Sequence, residues 1–203
     1  MIFVDRIGTI PLWVKLCYTG FILVLVPVYW WQYGPANFLW ASNVALLITL
    51  IAFWLESSLL VSMMALSVLI TELGWAVDFA TRLVAGPDVE SFGGTHYMFN
   101  PAIPLLVRGL SLYHLILPIL LLWAIHRLGY HRKALIGQTL LSWLVLPLSF
   151  LISSPAANIN WVFGFFDPPQ QWLPDVFFVL FLMALYPLLI FLPTHLLLRR
   201  VFR

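Results

Sequence analysis

Long apolar runs alternate along this chain with short clusters of polar and turn-forming residues, and the length of the runs decides what they are. A helix needs about 20 mostly apolar residues to cross a hydrocarbon layer. Six runs meet that length, at residues 12–31, 36–55, 57–79, 101–125, 134–153 and 173–198. Each is expected to be helical, because lipid offers the backbone no hydrogen-bond partner and an open chain satisfies its own N–H and C=O groups only as a helix. The pattern predicts an all-α integral membrane bundle of six transmembrane helices, with residues 1–203 forming one domain. Gln32-Tyr33-Gly34-Pro35 and Glu56-Ser57-Ser58 separate the first three runs, and links that short force antiparallel neighbours. The third link, residues 80–100, and the fifth, residues 154–172, are much longer. Ordered loops of that length usually serve a purpose.

Composition turns this pattern into an assignment. The chain is 63% hydrophobic and 9% charged, against roughly 25% charged in a soluble domain, so a soluble fold is excluded. A net charge of +2 gives no reason to expect a nucleic-acid partner; the basic residues instead orient the chain. Arg6, Lys15, Arg127, Arg132, Lys133, Arg199, Arg200 and Arg203, eight of the ten Lys and Arg, fall on one side of a six-span topology. By the positive-inside rule that side, with both termini, is cytoplasmic. The two long links then face outward, carrying Asp88, Glu90 and Asp167. No small-residue cleavage site follows the first apolar run, which is expected to be a retained span rather than a signal peptide. Cys17 is the sole cysteine, which rules out an intramolecular disulfide or a multi-cysteine metal site.

Polar residues inside the spans are few and regularly spaced. Asn37, Trp40 and Asn43 step by three along the second span, with Ser42 beside the last; Glu72, Trp75 and Asp78 do the same on the third, and Arg108, Ser111 and His114 on the fourth. At 1.5 Å per residue, Asn43, Glu72 and Arg108 are expected roughly 10 Å below the outer ends of their helices. A polar pocket in the outer half of the membrane follows, and ionisable residues at that depth mark a site by default. Two accounts of them stay open. In the structural one, Glu72 and Arg108 neutralise each other across the bundle and Asn43 joins two helices by a hydrogen bond. His114, six residues deeper than Arg108 and with no carboxylate expected at its level, then pairs with Ser42, Asn43, a water or a ligand.

In the functional account His114 is a general base, imidazole being the side chain that titrates nearest neutrality. Ser42 is the nucleophile, Asn43 or Arg108 the oxyanion donor, and Glu72 the group that holds Arg108, the general arrangement of acyl transfer. Asp78 and Ser111 complete the pocket lining, and Asn160, in Asn158-Ile159-Asn160-Trp161 of the fifth link, is placed to close over it. Gly93-Gly94-Thr95-His96-Tyr97 reads as a hinged loop or a turn. Other chemistries fit less well. Haem between helices usually takes two histidines at one depth, yet His195, His126 and His131 lie toward the opposite end from His114. No HExxH or ExxH spacing points to a metal, and no internal repeat points to a transporter. No cofactor is expected.

The segment Leu39-Trp40-Ala41-Ser42-Asn43-Val44-Ala45-Leu46-Leu47 resembles the second-span motif of the YwaF-type and androgen-induced fatty-acid-ester hydrolase group of six-span proteins. Leu112-Tyr113-His114 with its following apolar run is similar to that group's histidine-bearing span, and residues 158–164 are similar to its asparagine-containing outer loop. The resemblance implies action on the acyl chains of lipids, with Ser42 at the nucleophile position and His114 at the base. Residues 33–40 resemble bacterial membrane proteins, which implies a bacterial inner membrane. A lipid acyl hydrolase or acyltransferase is therefore the leading expectation, with membrane lipids as partners. The alternative is a non-catalytic accessory subunit of a larger membrane complex, suggested by 16% aromatic residues and almost no soluble mass.

Overall fold

The computed structural model describes residues 9–89, 94–165 and 169–202. Among these all regular structure is helical. Five helices are long and apolar enough to cross a membrane: α1 (Leu12–Tyr33), α3 (Ser58–Ala85), the joined α4 and α5 (Leu105–Leu128), α6 (Ala134–Ile152), and the joined α7 and α8 (Asp175–Val201). The protein is therefore built as a membrane-embedded, multi-pass bundle. Its surface agrees: Trp31 is 91% and Val84 90% exposed, amid many exposed Leu, Ile and Phe side chains.

The second apolar run departs from the expected span. Gly34 turns the chain at φ +77°, Pro35–Leu39 forms a 3-10 helix, and Trp40 is extended at φ −52°, ψ 133°. Only α2 (Ala41–Trp54) remains as α-helix. Its 14 residues reach about 21 Å at 1.5 Å per residue, short of a hydrocarbon core about 30 Å thick.

Helix α3 is the hub, packing against α2, α5, α6 and α8. It starts where the Ser57 hydroxyl accepts the Leu60 N–H at 3.3 Å and ends at Gly86, φ +104°. Its last helical residue, Ala85, is six residues beyond the expected end at Phe79. Two long helices carry internal breaks. Leu112, where the chain tightens to a three-residue turn (Leu112 N–H to Gly109 O, 3.2 Å), divides α4 (Leu105–Ser111) from α5 (Tyr113–Leu128). Between α7 (Asp175–Tyr186) and α8 (Leu192–Val201), residues Pro187–Phe191 form a π-helical turn, because proline offers no N–H and the ladder must step past it.

Lys15 binds Glu56 at 2.7 Å, Arg127 donates to Thr9 O at 3.0 Å, and the His131 N–H donates to Ser62 at 2.9 Å. The start of α1, the α2–α3 link and the end of α5 thus share one end of the bundle. Arg6, Arg203, Glu90 and Asp167, used above for orientation, lie outside the described residues, as do Gly93 and Pro168.

Candidate functional site

Glu72 does not pair with Arg108; it pairs with His114. Nδ1 of His114 lies 2.6 Å from Oε2 of Glu72, and the glutamate is 4% exposed. The imidazole is held in a sandwich, with Trp75 4.7 Å from it at 17° and Tyr113 4.1 Å from it at 25°. Because α3 runs on to Ala85 and α4 begins only at Leu105, Glu72 lies about 20 Å below its helix end, His114 about 14 Å and Arg108 only about 5 Å. The imidazole is therefore much the nearer in depth. Steps of three also turn back by about 60° each on a helix, and the tightened turn at Leu112 separates the residues further. Arg108 Nη1 donates to Met98 O at 3.1 Å, Ser111 meets the Tyr29 hydroxyl of α1 at 2.6 Å, and only His114 reaches α3.

The remaining expected site residues are fixed by specific bonds. Asn43 donates through Nδ2 to Asn37 O and accepts from the Tyr113 hydroxyl, both at 2.8 Å. Ser42 sits in the first turn of α2, its side chain beside the Tyr113 hydroxyl. Asp78 Oδ2 accepts from the Thr95 N–H at 2.7 Å and hydroxyl at 2.6 Å, and lies 3.6 Å from Arg82 Nε. That carboxylate ties the described part of the 94–99 segment to α3 as a fixed turn. Asn160 is a clamp: Oδ1 accepts the Ala41 N–H at 2.8 Å, while Nδ2 donates to Leu39 O at 2.7 Å and to Ser149 Oγ at 2.9 Å. It is 3% exposed and caps α2 from the fifth link. Its backbone at φ 55°, flanked by Asn158 at 38° and Trp161 at 60°, is a conformation that asparagine tolerates better than most residues.

These residues surround a cavity of about 960 Å³. Ser42, Asn43, Glu72, Asp78, Ser111, His114 and Asn160 all line it; Arg108 does not. Along α3 the lining runs from Asp78 to Ser67, eleven residues or about 16 Å, so the cavity reaches from the loop that carries Thr95 and Tyr97 deep into the bundle. His114 Nε2 makes no hydrogen bond among the described residues, which leaves a carboxylate-oriented imidazole facing the cavity. The Ser42 and Asn43 N–H groups precede the first intrahelical bond of α2, Val44 N–H to Trp40 O at 2.9 Å. They present the donor-rich, positive end of a helix beside the serine.

Sequence reasoning missed Tyr97, Tyr113 and Gln138 as lining residues. Burial pushes the phenol of Tyr97 up to about 12, which keeps it a neutral hydroxyl. Gln138 is 3% exposed with its Oε1 lacking a partner among the described residues; a lone amide in an apolar run was the signal available. The tyrosines gave none, since an aromatic at helical spacing reads as core. Among the described residues no three His, Cys, Asp or Glu side chains converge as metal ligands. No protein-family model matches this chain, and no curated protein or solved structure matches it significantly.

Proposed function

We propose that the protein is a membrane-embedded hydrolase or acyltransferase acting on the acyl chains of lipids. The observation that carries this reading is the Glu72–His114 pair, 2.6 Å apart, with the imidazole opening on a large, mainly apolar cavity that Ser42 also lines. In the proposed reaction Ser42 Oγ attacks the carbonyl carbon of an acyl ester and its proton passes to His114 Nε2. Glu72 stabilises the imidazolium through Nδ1–H. The N–H groups of Ser42 and Asn43 at the start of α2 receive the oxyanion. Collapse of the tetrahedral adduct breaks the bond to the alcohol, which leaves with the proton from His114. Water, or a second alcohol in the acyltransferase case, then takes the acyl group from Ser42 by the same steps.

In this reading Pro35–Leu39 and α2 together make the sixth crossing, both termini are cytoplasmic, and the membrane is a bacterial inner membrane. The resemblance of residues 39–47 and of residues 112–114 to the YwaF-type and androgen-induced hydrolase group supports the same assignment of Ser42 and His114 respectively.

The test is turnover of a fluorogenic long-chain ester by protein in lipid nanodiscs, with fluorophosphonate labelling mapped by mass spectrometry. Label on Ser42, and a rate loss of about 10²-fold or more in His114→Ala, would establish the reading. Full activity in a folded Ser42→Ala variant would end the nucleophile assignment. Absence of turnover and label in the wild type, with a fixed partner co-purifying, would favour the accessory subunit.

A further inference from the structure

A second cavity, of about 420 Å³, lies on the lipid-facing side of the bundle between α1 and α5. Trp13, Cys17 and Phe21 of α1 form one wall and Ile116, Leu120 and Trp123 of α5 the other. The two helices hardly meet directly, α1 leaning instead on α2 and α4, so the gap is a groove built into the fold. Its upper end is Tyr113, the same side chain that walls the internal cavity. From Tyr113 to Trp123 it follows ten residues of α5, about 15 Å, which is half of a hydrocarbon core about 30 Å thick. The groove is therefore one leaflet long and apolar throughout.

Its lower end is cationic. The Arg127 guanidinium stands over the Trp123 ring at 5.8 Å, one Nη is committed to Thr9 O at 3.0 Å, and the buried Nε has no partner among the described residues. The neighbouring cation, Lys15, is already neutralised by Glu56 at 2.7 Å. The Nε is closed off, but Arg127 has no carboxylate partner among the described residues, and the remaining N–H groups of its two Nη atoms offer positive charge at the end of an acyl-sized slot between two tryptophans. A guanidinium is well suited to phosphate, which it binds through two parallel N–H groups.

We propose that this groove is a binding site for one anionic phospholipid, its acyl chain lying between α1 and α5 and its phosphate held by Arg127. The site rests on the membrane-embedded fold and is independent of any chemistry at His114.

Cys17, the chain's single cysteine and exposed in the groove wall, reports occupancy. Its alkylation by the neutral reagent N-ethylmaleimide would be timed in nanodiscs of phosphatidylcholine with and without phosphatidylglycerol. Leu16→Cys in a Cys17→Ser background places a thiol at nearly the same depth but outside the groove, and reports surface potential alone. Phosphatidylglycerol is expected to slow Cys17 about fivefold, the worth of one arginine near an anionic surface, and to leave the Leu16→Cys thiol unchanged. Arg127→Gln should abolish the difference and Arg127→Lys should keep part of it. Native mass spectrometry should find one phosphatidylglycerol retained per wild-type chain and none in Arg127→Gln. Equal Cys17 rates in the two lipid mixtures, equal slowing at both thiols, or undiminished retention by Arg127→Gln would each overturn the proposal.

Discussion

A buried carboxylate is tolerable only with a partner, and in this protein Glu72 has one, His114 at 2.6 Å. Removing either member strands the other in a medium that cannot solvate it. Each of Glu72→Ala and His114→Ala is expected to cost about 1.5 to 3 kcal/mol, the worth of a hydrogen bond to a charged group. The double variant should cost clearly less than the sum, because the second change removes the stranded partner. A double-variant cycle read by unfolding in mixed micelles checks this; strict additivity would mean that the pair does not act as a unit. Asn160 is a second residue on which several contacts depend. Asn160→Ala uncaps α2 and frees Leu39 O and Ser149 Oγ, with an expected cost of about 2 to 4 kcal/mol. Asn160→Asp keeps the acceptor for Ala41 but loses both donations, so it should fall between alanine and wild type in the same assay.

At the scale of elements, two glycines separate close packing from close backbone approach. A Cβ on Gly164, at φ +142°, would collide with the Gln170 N, which itself donates to Phe163 O at 2.9 Å. Backbone on both sides cannot yield, so Gly164→Ala should destabilise by about 1 to 3 kcal/mol and loosen the fifth link where it packs on α7. A Cβ on Gly137 would lie 2.7 Å from Met63 Sδ, where α6 crosses α3. A methionine side chain can re-rotamer, and Gly137→Ala should cost less than about 1 kcal/mol. Thermal unfolding of the two variants side by side tests the contrast; comparable losses would contradict it. The breaks at Leu112 and Pro187 belong to the same scale. The first lets α5 turn His114 toward α3 while α4 turns Ser111 toward α1, which one straight helix could not do; the second divides α7 from α8.

For the whole molecule, the ties Arg127–Thr9, Lys15–Glu56 and His131–Ser62 gather one set of ends, and the described links at residues 94–104, 153–165 and 169–174 lie at the other. If the six-crossing arrangement holds, cysteines at Arg132 and Pro155, both exposed positions, should label from opposite sides of a sealed vesicle in a Cys17→Ser background. A membrane-impermeant maleimide reads the result, and labelling of both from one side would require an even number of crossings between them, so that α6 would not span.

Apolar run length, lack of charge and the cost of an unpaired backbone in lipid were enough, read along the chain alone, to fix a helical, membrane-embedded protein and where most of its helices run. The expense of polar atoms in lipid also singled out residues that the fold brings near one another, since Ser42, Asn43, Glu72, Asp78, Ser111, His114 and Asn160 all line one cavity, whereas Arg108 does not. Which of them touch was decided only by the folded structure. Helix ends that move by four to six residues shift relative depth by about 6 to 9 Å, and each residue of offset turns a side chain by about 100°. Small local choices therefore exchange one partner for another. The ends of α3 and α4 and the turn at Leu112 depend on what packs beside them, and so Glu72 found His114 rather than Arg108. The shortened α2 has the same origin. Gly34 and Pro35 announce a turn, but only the Asn160 side chain, arriving from 119 positions further along the chain, makes Ala41 the place where the helix starts.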